Sequence, residues 1–219
     1  MKKASLFIFL SSILFLTSCG GLHDRWSIYV KDPISGENFS VKMHVKRAAS
    51  TSPSMRFTVS KSTAELANEI AESDSSLSTA IHQDRFILIK TASNFFLLDQ
   101  VEKLDEDREN ENRYVFFAPI GTFKKNTSNG TLVVMMYLPY HLLKGIAVQY
   151  SPGYKTDYPD KMECDTCGTI DDFINFYSEL AYCDIKESDE TSIVVQNKID
   201  KYEMKLTFSQ EKVTFTILV

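Results

Sequence analysis

The chain has 219 residues, 43% of them hydrophobic, and 24 basic against 29 acidic side chains give it a formal charge of −5. That length suits one domain or two small ones, and eight glycines with six prolines argue for a packed body over a low-complexity stalk. An acidic chain whose basic runs are no longer than pairs such as Lys124-Lys125 lacks the electrostatic footprint of a phosphate-backbone binder, so nucleic acid is not an expected partner.

The first segment reads as an address. Lys2 and Lys3 precede an apolar run from residue 6 to residue 16, and Thr17 and Ser18 put small residues before Cys19. This is the layout of a signal peptide, and the apolar run is too short to span a bilayer, which takes about 20 residues. The run Leu16-Thr17-Ser18-Cys19 resembles the lipobox of bacterial lipoproteins. The resemblance covers the first twenty residues, and no family is recognised for the rest. It implies cleavage after residue 18, lipidation of Cys19 as the mature N-terminus, and an exported protein of the cell envelope. Gly20 stands where the inner-membrane retention signal of such proteins would be Asp, which points to the outer membrane. The mature part would carry 22 basic and 29 acidic side chains, a formal charge of −7. Residues 19–25 then form a tether of roughly 20 Å at ~3.4 Å per residue, so the body, residues 26–219, sits close to its membrane.

Trp26, Ile28 and Val30 alternate with polar positions, as do Phe39, Val41, Met43 and Val45 after the turn Asp32-Pro33-Ile34-Ser35-Gly36. The pattern predicts an antiparallel hairpin with one apolar face. Residues 48–54 read as a loop and 55–59 as a short strand. Ser62 followed by Glu65 fits a capping box, with Leu66, Ala67, Ile70 and Ala71 as the apolar stripe of a helix to about residue 72.

Strands are predicted over 85–92, 95–104, 113–123 and 131–138. The runs 86–89, 115–118 and 132–138 are continuously apolar and predict burial on both faces, so something must cover the second face. Residues 145–151 suggest another strand, and 152–168 has turn composition and is the candidate sub-domain boundary. Thr169 can cap a helix over 170–182 with Asp171 and Asp172 in its first turn and Ile170, Phe173, Ile174, Tyr177 and Leu180 on one face. Strands at 192–196, 202–208 and 213–219 complete the chain. The expected class is α+β: mainly antiparallel β-sheets with two amphipathic helices packed on them.

Candidate chemistry is sparse. Cys164, Cys167 and Cys183 are an odd number for an exported chain. Cys164-Asp165-Thr166-Cys167 lacks the βαβ surround of a thioredoxin-type enzyme, which leaves a structural Cys164–Cys167 disulfide, with Cys183 free, or inert thiols as the readings. Three cysteines fall short of a closed zinc site. Asp105, Asp107, Glu109 and Glu111 resemble a calcium loop, but Asn110 stands where the loop needs Gly and Phe116 where it needs the bidentate Glu. His23, His44, His82 and His141 have no metal spacing, and no G-x-S-x-G or phosphate-binding glycine pattern occurs. Neither a metal nor a cofactor is therefore expected. Tyr154 and Tyr158, in the Pro/Gly stretch, are the candidate binding residues, while Tyr137 and Tyr150 should pack inward.

The expectation is a non-enzymatic, lipid-anchored envelope protein that binds another envelope protein or a small ligand near the membrane. The rival is an envelope hydrolase whose site is assembled from separated loops. A pocket holding His82 or His141 beside a carboxylate and a nucleophile would favour the rival, and a broad apolar or tyrosine-lined surface would favour binding.

Overall fold

The computed structural model describes residues 26–45, 47–51, 54–103, 112–144 and 158–218. The signal segment with Cys19, the tether, the acidic loop at 105–111, the strand suggested at 145–151, and Tyr150 and Tyr154 lie outside them.

The first hairpin forms as its alternation requires. Strands β1 (Trp26–Lys31) and β2 (Asn38–Met43) pair antiparallel, from Trp26 opposite Met43 to Lys31 opposite Asn38. Their turn is built on Asp32, whose Oδ1 accepts from the Ile34 amide at 2.8 Å, and on Gly36, whose φ of +74° suits a residue without a Cβ.

Strands β3 (Arg47–Thr51), β4 (Ser54–Val59), β5 (Ser78–His82), β6 (Phe86–Lys90), β7 (Phe95–Lys103) and β8 (Asn112–Phe117) form an antiparallel sheet in the order β3-β4-β8-β7-β6-β5. Helix α1 (Thr63–Ser73) joins β4 to β5 and opens with the expected capping box: Ser62 Oγ accepts from the Glu65 amide, and Glu65 Oε2 accepts from the Ser62 amide at 2.8 Å. One expectation is corrected here. Residues 48–51, read as part of a loop, belong to a strand, because a partner across the hairpin decides what a run of small residues becomes. Residues 78–82, to which the sequence pattern assigns no element, are also a strand, at the sheet edge, where an edge needs no strong apolar alternation.

The sheet is buried on both faces, as its apolar runs predict. Ile87, Ile89, Phe96, Leu98, Tyr114 and Phe116 face a core shared with Leu66, Ala67 and Ile70 of α1 and with Val41 and Met43 of β2. Phe95, Leu97 and Phe117 face a second core, shared with the C-terminal half.

The strand predicted over 113–123 is two strands. The chain breaks at Ala118-Pro119, because proline has no N–H for a ladder, and β9 (Ile120–Thr127) leaves the sheet to pair with β10 (Gly130–Tyr137). That ribbon corrects a second expectation. Val133 is 52% exposed, so β10 is not buried on both faces; Val134, Met136 and Tyr137 carry its packing.

One turn of 3-10 helix (Tyr140–Leu142) leads into β11 (Leu143–Lys144). Strands β12 (Lys161–Thr166), β13 (Cys183–Ser188), β14 (Ser192–Asn197), β15 (Glu203–Ser209) and β16 (Lys212–Leu218) join β11 in a second antiparallel sheet, ordered β11-β12-β16-β15-β14-β13. Residues 161–166 were expected as turn and are strand, since pairing with β16 supplies what their composition lacks. Helix α2 (Ile170–Glu179) begins at Thr169 with a capping box to Asp172, as predicted, and stops at Glu179 rather than 182. Phe173, Phe176 and Tyr177 are its buried residues, Phe176 lying outside the predicted stripe.

A buried polar node joins the layers. The Asp32 carboxylate, 0% exposed, accepts from Asn94 Nδ2 at 2.8 Å and from the Tyr137 hydroxyl, and the Tyr177 hydroxyl donates to the Tyr137 carbonyl at 2.7 Å. A buried carboxylate survives only with such a set of donors.

Candidate functional site

The site begins with the side chains of one edge strand. Ser78, Ala80 and His82 alternate onto one face of β5, opposite Lys90, Leu88 and Phe86 of β6. Leu88 packs toward the second core, so this face looks at α2. Helix α2 is fastened to the sheet farther in, where Phe95 stacks on Phe176 with ring centroids 5.4 Å apart, and outside, where Lys90 Nζ meets Glu179 Oε2 at 2.5 Å. Ser78 and Ala80 are too small to fill the space between those contacts. The result is a cleft of about 360 Å³ between β5, β6 and α2, closed at one end by His141 and Leu142 of the 3-10 turn.

His82 and His141 meet in that cleft with ring centroids 4.5 Å apart, and the His141 ring also lies 5.6 Å from that of Phe176. His141 is 4% exposed and its Nδ1 is buried with no hydrogen-bond partner. Burial, then the neighbouring His82, pushes the His141 pKa down to about 3, against the opposing pull of Asp172. Burial also lowers His82, again with Asp172 opposing. Both imidazoles are therefore neutral near pH 7. Asp172 is ionised: the hydrogen bonds from Thr169 hold its carboxyl below the usual range, and the two histidines add to the effect.

The turn between β5 and β6 holds the pair in register. Gln83 and Asp84 both take positive φ, +53° and +50°, a conformation normally given to Asn or Gly. Gln83 spends its amide on two contacts across the molecule, donating to the His141 carbonyl at 2.8 Å and to Cys167 Sγ at 2.9 Å. These bonds tie the edge hairpin to the segment that carries His141.

The residues singled out from sequence lie elsewhere. Tyr137 is buried, as expected, and Tyr158 is half-buried ahead of β12, away from the cleft lining. Cys164, Cys167 and Cys183 are free cysteines. Cys164 lies buried on β12, and Cys167, one residue past its end, is exposed. Burial pushes the Cys164 thiol up to about 11 and that of Cys183 up to about 12, so neither is a nucleophile at neutral pH. His44 is exposed, as its alternation implies, and its Nδ1 lies 2.5 Å from Glu69 Oε1.

Among the described residues, no group of three or more His, Cys, Asp and Glu is arranged to hold a metal ion. None of their helices is long and apolar enough to cross a membrane. Nor does any hydroxyl or thiol hydrogen-bond to either cleft imidazole there. No protein-family model, no curated protein and no solved structure matches this chain.

Proposed function

We propose that this is a lipid-anchored protein of the cell envelope that binds a small ligand in the cleft between β5, β6 and α2, close to its membrane. The Leu16–Cys19 run and the short tether support the anchor, with Gly20 supporting the outer membrane. The observation that carries the binding reading is the cleft itself. About 360 Å³ is left open at the edge of a well-packed body, and the buried Nδ1 of His141 beside it is left unsatisfied. An open cleft with an apolar wall beside an unpaired buried polar atom is the arrangement of a small-ligand site.

Protein-observed NMR with a fragment library tests the reading: ligands should perturb His82, His141 and Asn175 first, and perturbations confined to other surfaces would sink it. For the anchor, Cys19→Ala should release the protein from membranes after a carbonate wash, and a variant that still sediments would refute it.

A second reading is favoured by one observation, the convergence of His82, His141 and Asp172 in one cleft. It is an envelope hydrolase in which half-buried His82 acts as the base on a bound water. Turnover of fluorogenic ester or amide substrates that vanishes in His82→Ala would favour it over pure binding.

A further inference from the structure

The cleft has a charge left over. Three ionised side chains line it: Lys90 from β6 and Asp172 and Glu179 from α2. Lys90 and Glu179 neutralise one another at 2.5 Å, and His82 from β5 and His141 from the 3-10 turn are neutral rings. Asp172 remains. Its Oδ2 takes both Thr169 hydrogen bonds, at 2.7 Å from the amide and 2.8 Å from the hydroxyl; the residue is exposed, and among the described residues no hydrogen bond goes to Oδ1, which is left to solvent or a ligand. Beside it the walls are apolar and aromatic, with Ala80, Leu88, Phe95 and Phe176.

We propose that the cleft takes a primary ammonium carried on an aliphatic chain, with Asp172 Oδ1 as its counter-charge. The proposal rests on the cleft being the ligand site and names the class of ligand. An alkyl chain suits the Leu88–Phe95–Phe176 wall, which buries its methylenes; the Phe95 and Phe176 rings stack on each other and Lys90 Nζ lies 5.8 Å from the Phe95 centroid, so the counter-charge for the ammonium is Asp172. An anion would meet Asp172 with no uncommitted cation to receive it. A neutral alcohol could bury its chain but would gain only a hydrogen bond at Asp172, without the ion pair that an ammonium forms. The net negative charge of the chain steers cations toward it. Acid works against this ligand, because a protonated His82 becomes a rival cation beside Asp172.

The test compares n-butylamine, butan-1-ol and butyrate on the detergent-solubilised lipoprotein, read by saturable shifts of the His82 and His141 ring protons. Butylamine should bind at least about tenfold more tightly than butanol, a difference of about 1.4 kcal/mol, and butyrate should not bind. Asp172→Asn should erase the preference for the amine. Thr169→Ala disturbs the same helix cap but keeps the carboxylate, so it should retain the preference. If the alcohol or the acid binds as well as the amine, and Ala80→Leu blocks both by filling the cleft, the ligand site stands and the ammonium assignment is overturned. If no probe binds, or Ala80→Leu changes nothing, both fall. A blocked lysine, with acetyl and methylamide ends, separates the sources of the chemistry. Binding about tenfold tighter than butylamine supports the lysine side chain of a partner segment, and equal binding supports a free amine.

Discussion

Strand β5 is seen by a helix from each side, and the two sides differ. On one, α1 closes down: Leu66 and Ile70 are 0% exposed and the Thr79 hydroxyl donates to the Ala67 carbonyl at 3.2 Å. On the other, α2 starts with the same kind of capping box yet stands off the strand, held by Phe176 on Phe95 and by Glu179 on Lys90. The helices are not what differs. A strand alternates its side chains, and here the α1 face carries Thr79, which bonds to the helix, and a 40% exposed Ile81, while the α2 face carries serine, alanine and histidine.

The packed part of α2 gives the largest expected effect. Phe173 is 0% exposed, its ring 5.1 Å from that of Phe208, and Phe173→Ala should lose about 3–5 kcal/mol in chemical denaturation. An unchanged midpoint would mean that α2 is as loosely seated along its whole length as it is over Ala80. On the closed side, Ile70→Ala should cost about 2–5 kcal/mol; a loss well under that range would erase the contrast between the two helices.

Acid should weaken the open side. The unfolded chain gains a proton at His141 near the ordinary value of 6.5, whereas the folded chain refuses it until about 3. Between those limits the unfolded state binds more protons, so stability falls as pH falls, at most about 1.4 kcal/mol per pH unit from this group. Denaturation from pH 7 to pH 4 should show a shallower loss in His141→Phe than in the native protein, and parallel curves would place the acid sensitivity elsewhere.

The smallest effect belongs to the mouth of the cleft. Lys90→Met breaks an ion pair whose partners are 43% and 45% exposed and should change stability by less than about 1 kcal/mol. It also leaves Glu179 without its cation, so amine binding should strengthen. A variant that binds butylamine more weakly would assign Lys90 a direct part in holding the ligand.

Much of the fold was legible in the sequence where local chemistry is strong. Both helix starts follow from Ser62 with Glu65 and from Thr169 with Asp172, because a capping box satisfies its donors within four residues. The β1–β2 hairpin followed from alternation, and burial of the 86–89 run followed from its unbroken apolarity. Strands β3, β5, β12 and β13 were not legible, since runs such as Ser-Thr-Ala-Ile-His become strands only when a neighbour takes up their hydrogen bonds. The tyrosine and cysteine candidates rested on loop composition and short spacing, which carry no direction.

The sequence by itself determined the antiparallel α+β class, the helix starts and the burial of Phe173 and Tyr177, all of which follow from neighbours along the chain. The tertiary structure alone decided the cleft. His82 and His141 are ordinary residues far apart in the chain, and only the stand-off of α2 over Ser78 and Ala80 puts their rings 4.5 Å apart beside Asp172. Spacing along a chain encodes periodic elements, whereas a cavity is what remains after several elements have packed, so no local pattern can announce it.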